Sequence, residues 1–124
     1  MSLETPLHKV RGLGAAHTGT GHFIHQRVTA IALIPLTLWF GVSILGLVGV
    51  GEVSALLFLA TPMNAILMGL FVLVALYHLA LGLKEVITDY VPHEGAKLLL
   101  ILSAYGFALC AALACLFALL RIAR

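Results

Sequence analysis

Charge is scarce in this chain. Asp, Glu, Lys and Arg make up 10% of the 124 residues, against about 25% in an ordinary soluble domain. The net charge of +2 comes with no basic run, so no nucleic-acid partner is expected. Cysteine is nearly absent: Cys110 and Cys115 both lie in the last apolar segment, and no C-x-x-C occurs. That excludes a disulfide framework and argues against a zinc or iron–sulfur site within the chain. The two thiols read as small packing residues. No internal repeat or low-complexity tract is present. The G-T-G at Gly19–Gly21 is too short for a nucleotide-binding fingerprint, and it precedes an apolar helix rather than following a strand.

Apolar side chains are what the chain has in excess, at 62%. A membrane-crossing helix needs about 20 of them in a row. Val28–Val50, Met63–Leu83 and Leu98–Leu120 each supply such a run. The expected fold is an all-α membrane protein with three transmembrane helices, spanning about 23–50, 63–89 and 96–122, in a single domain over 1–124. Pro35 lies inside the first span, where a kink is tolerated. Gly51-Glu52 and Thr61-Pro62 punctuate the first connection, and Val91-Pro92-His93-Glu94-Gly95 forms the second. Residues 1–22 read as a cytoplasmic tail. The stretch before Arg27 has no apolar core of a signal peptide and too few Arg and Ser for an organelle presequence.

Basic residues set the orientation. Lys9, Arg11, Arg27, Lys84 and Lys97 flank one side of the spans, and Arg121 and Arg124 the other. The N-terminus and second connection are therefore expected in the cytoplasm. In the third span Ser103, Gly106, Cys110 and Ala114 recur every three or four positions, a stripe that lets helices approach closely in lipid. Three helices are few for a closed bundle with a buried site, so a partner membrane chain is expected.

The second span carries the chemistry. At about 100° per residue, Gly82, Glu85 and Asp89 fall within roughly 40° of His78. They form the one polar face of that helix, which should point into protein rather than lipid. Left uncovered, this stripe would make the chain unstable on its own. Asp89 lies about 16 Å along the axis from His78, which places it near the cytoplasmic interface. Gly82 removes a side chain one turn from the imidazole, room that a flat group bound to His78 would need. Two readings of His78 stand side by side: an interhelical hydrogen bond, or axial ligation of a haem iron. His78 is the sole histidine in mid-span, so a haem with two histidine ligands would take its second from another chain.

The segment GTGHFIHQRVTA, Gly19–Ala30, leads into the first span. The helix is expected to begin among these residues, with Arg27 at the membrane boundary about level with the end of the second helix. Arg27 reads either as an interfacial anchor or as a clamp for carboxylates such as haem propionates. Asp89-Tyr90 ends the second helix, because Val91-Pro92 follows. Tyr90 reads either as a residue of the interfacial aromatic belt or as a neutral hydrogen-bond donor to a quinone carbonyl, with Asp89 tuning or relaying protons.

A mid-span histidine followed after ten residues by Asp-Tyr, here His78 and Asp89-Tyr90, resembles the small hydrophobic membrane anchor subunits of succinate dehydrogenase, respiratory complex II. The G-H-F-x-x-Q-R-V-T-A pattern of Gly21–Ala30 is similar too, above all to alphaproteobacterial anchors of this cytochrome b type. The motifs cover about a third of the chain. The resemblance implies that His78 ligates haem b together with a histidine of a second membrane anchor subunit. It implies that Tyr90 hydrogen-bonds ubiquinone with support from Asp89. Arg27 would lie near the haem propionates, with His22 in the same polar cluster and Gly82 giving clearance. It also implies a flavoprotein and an iron–sulfur partner carrying FAD and the clusters, and a multi-pass location in the bacterial inner membrane. This chain would then be a subunit of an oxidoreductase outside its catalytic core, with no catalytic residue of its own for succinate oxidation.

Three other functions compete. A fumarate reductase anchor shares the architecture. A cytochrome b of another quinone-linked dehydrogenase would need more mid-span histidines. A non-redox scaffold would use the polar stripe only to join helices. A transporter is disfavoured by three helices with one intramembrane ionisable group.

Overall fold

The computed structural model describes residues 5–11 and 16–124. The side chains of His8, Lys9, Arg11, His17 and Thr18 lie outside that description, and with them part of the N-terminal basic flank counted above. Among the described residues the chain forms α1 (Pro6–Arg11), α2 (Ala16–Leu47), α3 (Glu52–Ala60), α4 (Pro62–Tyr90) and α5 (Glu94–Ile122).

Three of these helices are long and apolar enough to cross a membrane: Gly19–Leu47 within α2, then α4 and α5. At about 1.5 Å per residue, the 29 residues of each span extend about 43 Å. That matches a bilayer with its headgroup regions, about 40–45 Å.

α2 starts well before the uncharged run that marks the first span. His22, His25, Gln26 and Arg27 are all inside it. Arg27 therefore does not lie level with the end of α4, as expected. Gly19 shares a groove with Asp89, while Arg27 shares one with His78. The eight residues between Gly19 and Arg27 put the guanidinium about 12 Å deeper along the helix.

The first connection holds a helix that apolar runs did not announce. Gly49 and Gly51 have φ of 80° and 82°, the left-handed conformation that glycine adopts without steric cost. They turn the chain into α3. Thr61-Pro62 then separates α3 from α4, with Pro62 in the first turn, where its missing N–H costs nothing. Asn64 Nδ2 donates to Phe58 O at 3.0 Å and ties off the end of α3. Trp39 stacks on Phe58 at 6.4 Å between ring centres, which holds α3 beside α2.

α4 is the middle helix, packed against α2 on one side and α5 on the other. Phe40 stacks on Phe71 at 4.7 Å across the α2–α4 contact. A Cβ on Gly69 would sit 3.5 Å from Leu116, so the helices α4 and α5 pack closely there. The buried apolar core is small: Leu36, Ala80, Leu81, Ala108 and Leu119.

The accessible surface is 9228 Å², whereas a compact soluble protein of 13.2 kDa would show about 6,400 Å². Leucines, isoleucines and phenylalanines are exposed along all three spans. Hydrocarbon or partner helices must cover such a surface, because water would not tolerate it. The small-residue stripe of α5 is part of it: Ser103, Gly106, Cys110 and Ala114 are all exposed, facing away from α4. The molecule is an all-helical, multi-pass membrane protein.

Candidate functional site

The polar face of α4 meets a polar face of α2. Thr29, Gln26, His22 and Gly19 recur at helical spacing on α2 and run antiparallel to His78, Gly82, Glu85 and Asp89 on α4. His78 Nδ1 is 2.8 Å from Thr29 Oγ1. A Cβ on Gly82 would lie 3.6 Å from Gln26 Nε2. His22 Nδ1 is 3.0 Å from Glu85 Oε1. Asp89 and Gly19 line one groove.

The chain's own first span thus covers the His78 and Gly82 part of the stripe, while Glu85 and Asp89 stay exposed. The expectation that the stripe would face lipid without a partner is corrected for His78 and Gly82. α2 supplies the cover because its helix continues through the polar residues preceding the uncharged run.

Two grooves open from this seam. The shallower lies toward the Tyr90 end, with a volume of about 580 Å³, and is lined by Gly19, His22, Phe23, Lys84, Glu85, Thr88 and Asp89. The deeper, about 390 Å³, is lined by Phe23, Gln26, Arg27, Ala30, His78 and Glu85. Phe23 and Glu85 border both. A third groove of about 560 Å³ between α4 and α5 is almost wholly apolar and lies at the far end of the bundle, around Pro62 and Ala123. It offers no group for redox or proton chemistry.

Each residue singled out in the sequence has a definite place. His78 is half-buried in the α2–α4 seam. Its Nδ1 is engaged by Thr29, and its Nε2 makes no hydrogen bond among the described residues. Arg27 borders the same groove, with its guanidinium 5.0 Å from the centre of the Phe23 ring, a cation–π distance.

His22 and Gln26 carry buried polar atoms with no partner, Nε2 and Oε1 respectively. Each leaves hydrogen-bonding capacity unmet in the seam, at a cost of about 1–3 kcal/mol. Gly82 faces the Gln26 amide, so the space left by its missing side chain is shared with a flexible polar group. Asp89 is exposed on the groove wall. Tyr90 is 82% exposed, outside that groove, and its hydroxyl makes no hydrogen bond among the described residues.

Haem b is the group the sequence pattern implies, and the donor set can be tested against it. An iron ligand must present an unprotonated, unpartnered nitrogen; His78 Nε2 makes no hydrogen bond among the described residues, and His78 lines a groove. An arginine that could hold a carboxylate borders the same groove. The residues fit one half of such a site. Among the described residues no cluster of three or more His, Cys, Asp or Glu could hold a metal ion by itself.

Thr29, Gln26, His25 and Tyr77 carry interactions to which sequence reasoning assigned no role. His25 Nδ1 lies 2.8 Å from Tyr77 Oη, a third polar contact from α2 to α4. The 3-4-3 spacing of Gly19, His22, Gln26 and Thr29 was the signal that could have found the α2 stripe.

Comparison with known proteins agrees with this arrangement. The family model described as succinate dehydrogenase/fumarate reductase transmembrane subunit matches residues 1–117. A protein of Paracoccus denitrificans named succinate dehydrogenase hydrophobic membrane anchor subunit is 34% identical over 90% of this chain and 88% of its own length. Its namesake from Rickettsia bellii is 31% identical over 82% of this chain and 81% of its own length. No solved structure matches. With three apolar spans, a polar α2–α4 seam around His78 and a family match across nearly its whole length, the chain belongs to the succinate dehydrogenase/fumarate reductase transmembrane subunit family.

Proposed function

We propose that this chain is the small membrane anchor of a succinate:quinone oxidoreductase in a bacterial inner membrane. Its N-terminus and second connection face the cytoplasm, where they help to dock an iron–sulfur subunit and, through it, a flavoprotein. A second membrane anchor subunit packs against its exposed helix faces. FAD and the iron–sulfur clusters reside in the partner chains, and succinate is oxidised there.

Within this chain, His78 would hold haem b through Nε2, with a second histidine supplied by the other anchor. The haem, when bound, supplies a one-electron carrier. Arg27 pairs with a propionate, and His22 belongs to the same polar cluster. Gly82, facing the Gln26 amide, would leave clearance for the haem. At the end of α4 the Tyr90 hydroxyl donates a hydrogen bond to a ubiquinone carbonyl. Asp89, on the wall of the groove that opens there, supports Tyr90 and relays protons.

The observation that carries this reading is the shared groove of His78 and Arg27, with one imidazole nitrogen left unpartnered beside a guanidinium. A scaffold that only glued helices would gain nothing from an unpaired nitrogen there.

The test is His78→Leu in the complex purified with its partners. The reduced-minus-oxidised haem b spectrum should be lost or strongly altered. An unchanged spectrum and midpoint potential would sink the assignment.

A further inference from the structure

We infer that Thr29 is a positioning residue for His78, fixing the imidazole with its proton on Nδ1 and its lone pair on Nε2. The inference rests on the reading of His78 as a haem ligand. It comes from the proton count at one buried oxygen.

Thr29 is 9% exposed and lies in the middle of the α2–α4 contact. Its Oγ1 has three polar neighbours: His25 O at 2.8 Å, Gln26 O at 3.1 Å and His78 Nδ1 at 2.8 Å. A hydroxyl has one proton and two acceptor lone pairs. Both carbonyls can only accept, so the Thr29 proton goes to them, shared between two oxygens of its own helix. The third contact then requires the imidazole to be the donor, Nδ1–H to Oγ1.

The reverse arrangement fails. If Oγ1 donated to an unprotonated Nδ1, no proton would lie between the hydroxyl oxygen and either carbonyl oxygen. Two oxygen–oxygen contacts of 2.8 and 3.1 Å would then be repulsive in a low-dielectric seam.

The consequence reaches the iron. A neutral imidazole carries one proton, and the hydrogen bond at one nitrogen decides which nitrogen is free. With the proton held on Nδ1, Nε2 keeps its lone pair and meets no competing group. An acceptor on Nδ1–H also raises the basicity of the ligand. A more basic ligand favours ferric over ferrous iron, so Thr29 holds the haem potential down as well as orienting the ring.

The experiment compares three variants of the complete complex with the wild type: Thr29→Val, Thr29→Ser and His78→Leu. The readouts are haem content per complex, midpoint potential and the low-spin ferric electron paramagnetic resonance spectrum. Valine keeps the branched shape and removes the oxygen, whereas serine keeps the oxygen.

Loss of one neutral hydrogen bond should change the ferric-to-ferrous ratio roughly threefold to tenfold. The midpoint potential of Thr29→Val should therefore rise by about 30–60 mV, at about 59 mV per tenfold for one electron. Thr29→Ser should return it to near the wild-type value.

If His78→Leu loses the haem while Thr29→Val keeps wild-type content, potential and resonance spectrum, Thr29 has no such role and His78 stands without it. Equal loss of haem and complex in Thr29→Val and Thr29→Ser would make Thr29 a packing residue and overturn the inference. An intact haem spectrum in His78→Leu would overturn the His78 assignment and this one together.

Discussion

His22 Nδ1 lies 3.0 Å from Glu85 Oε1, across the seam between α2 and α4. The imidazole side chain is 18% exposed and the carboxylate 53%. The pair closes the seam on the Tyr90 side of His78. Glu85 borders both grooves, so it stands between the His78 groove, where haem is proposed to bind, and the helix end where the quinone is proposed to bind.

Breaking that pair should cost stability more than haem. Glu85→Ala leaves the largely buried His22 ring with both nitrogens unpaired, since Nε2 already lacks a partner. A loss of about 1–3 kcal/mol is expected from the stranded donor. Removing both partners should cost less than the sum of the single changes, with a coupling of about 0.2–1 kcal/mol for a half-exposed pair. Thermal inactivation of the purified complex for Glu85→Ala, His22→Ala and the double variant measures this. Strict additivity would show that the two side chains do not interact. The haem spectrum should be retained in Glu85→Ala.

Tyr90→Phe should separate assembly from quinone chemistry. The ring is 82% exposed, and its hydroxyl has no partner among the described residues, so removing the hydroxyl leaves the fold of this chain intact. One neutral hydrogen bond to a quinone carbonyl is worth roughly 0.5–1.5 kcal/mol, or about threefold to tenfold. A donor to developing oxyanion charge is worth more, about 2.7–4 kcal/mol. Quinone reduction should fall at least severalfold, while haem content and succinate-driven reduction of an artificial dye persist. Wild-type quinone reduction would remove Tyr90 from the site, and equal loss of both activities would make it structural.

Expressed without its partners, the chain should insert as a helical unit yet hold no haem b. α2 already covers His78 and Gly82, while the exposed Glu85 and Asp89 lie toward the end of α4. His78 is the one haem ligand proposed for this chain. Circular dichroism and a haem-region absorption spectrum of the chain in mild detergent check both halves. A bis-histidine haem spectrum from the lone chain would contradict a ligand shared with a second anchor.

The spans were legible because lipid demands about 20 apolar residues in a row, and no other constraint produces such runs. The α4 stripe was legible for a related reason. His78, Gly82, Glu85 and Asp89 interrupt an apolar helix, so their periodicity stands out. The α2 stripe was hidden by its context. His22, His25, Gln26 and Arg27 precede the uncharged run, and although the helix was expected to begin among them, apolarity does not say which of them face α4. In the folded chain α2 carries all four, and His22 and His25 meet Glu85 and Tyr77 of α4 rather than hydrocarbon. α3 escaped notice because a mostly apolar stretch of nine residues between two turn signals is too short to span and too plain in pattern to assign.

The sequence by itself determined the solvent, the number of spans and the one helix face that could carry chemistry. Those follow from transfer free energies and from the 3.6-residue period, which act along the chain. The tertiary structure decided which polar groups meet. It set Thr29 against His78 and His22 against Glu85, and it placed Arg27 in the groove beside the imidazole. That choice depends on the depth and rotation at which α2 packs on α4. Depth and rotation are fixed by contacts between distant residues, such as Phe40 on Phe71, and no local periodicity records them.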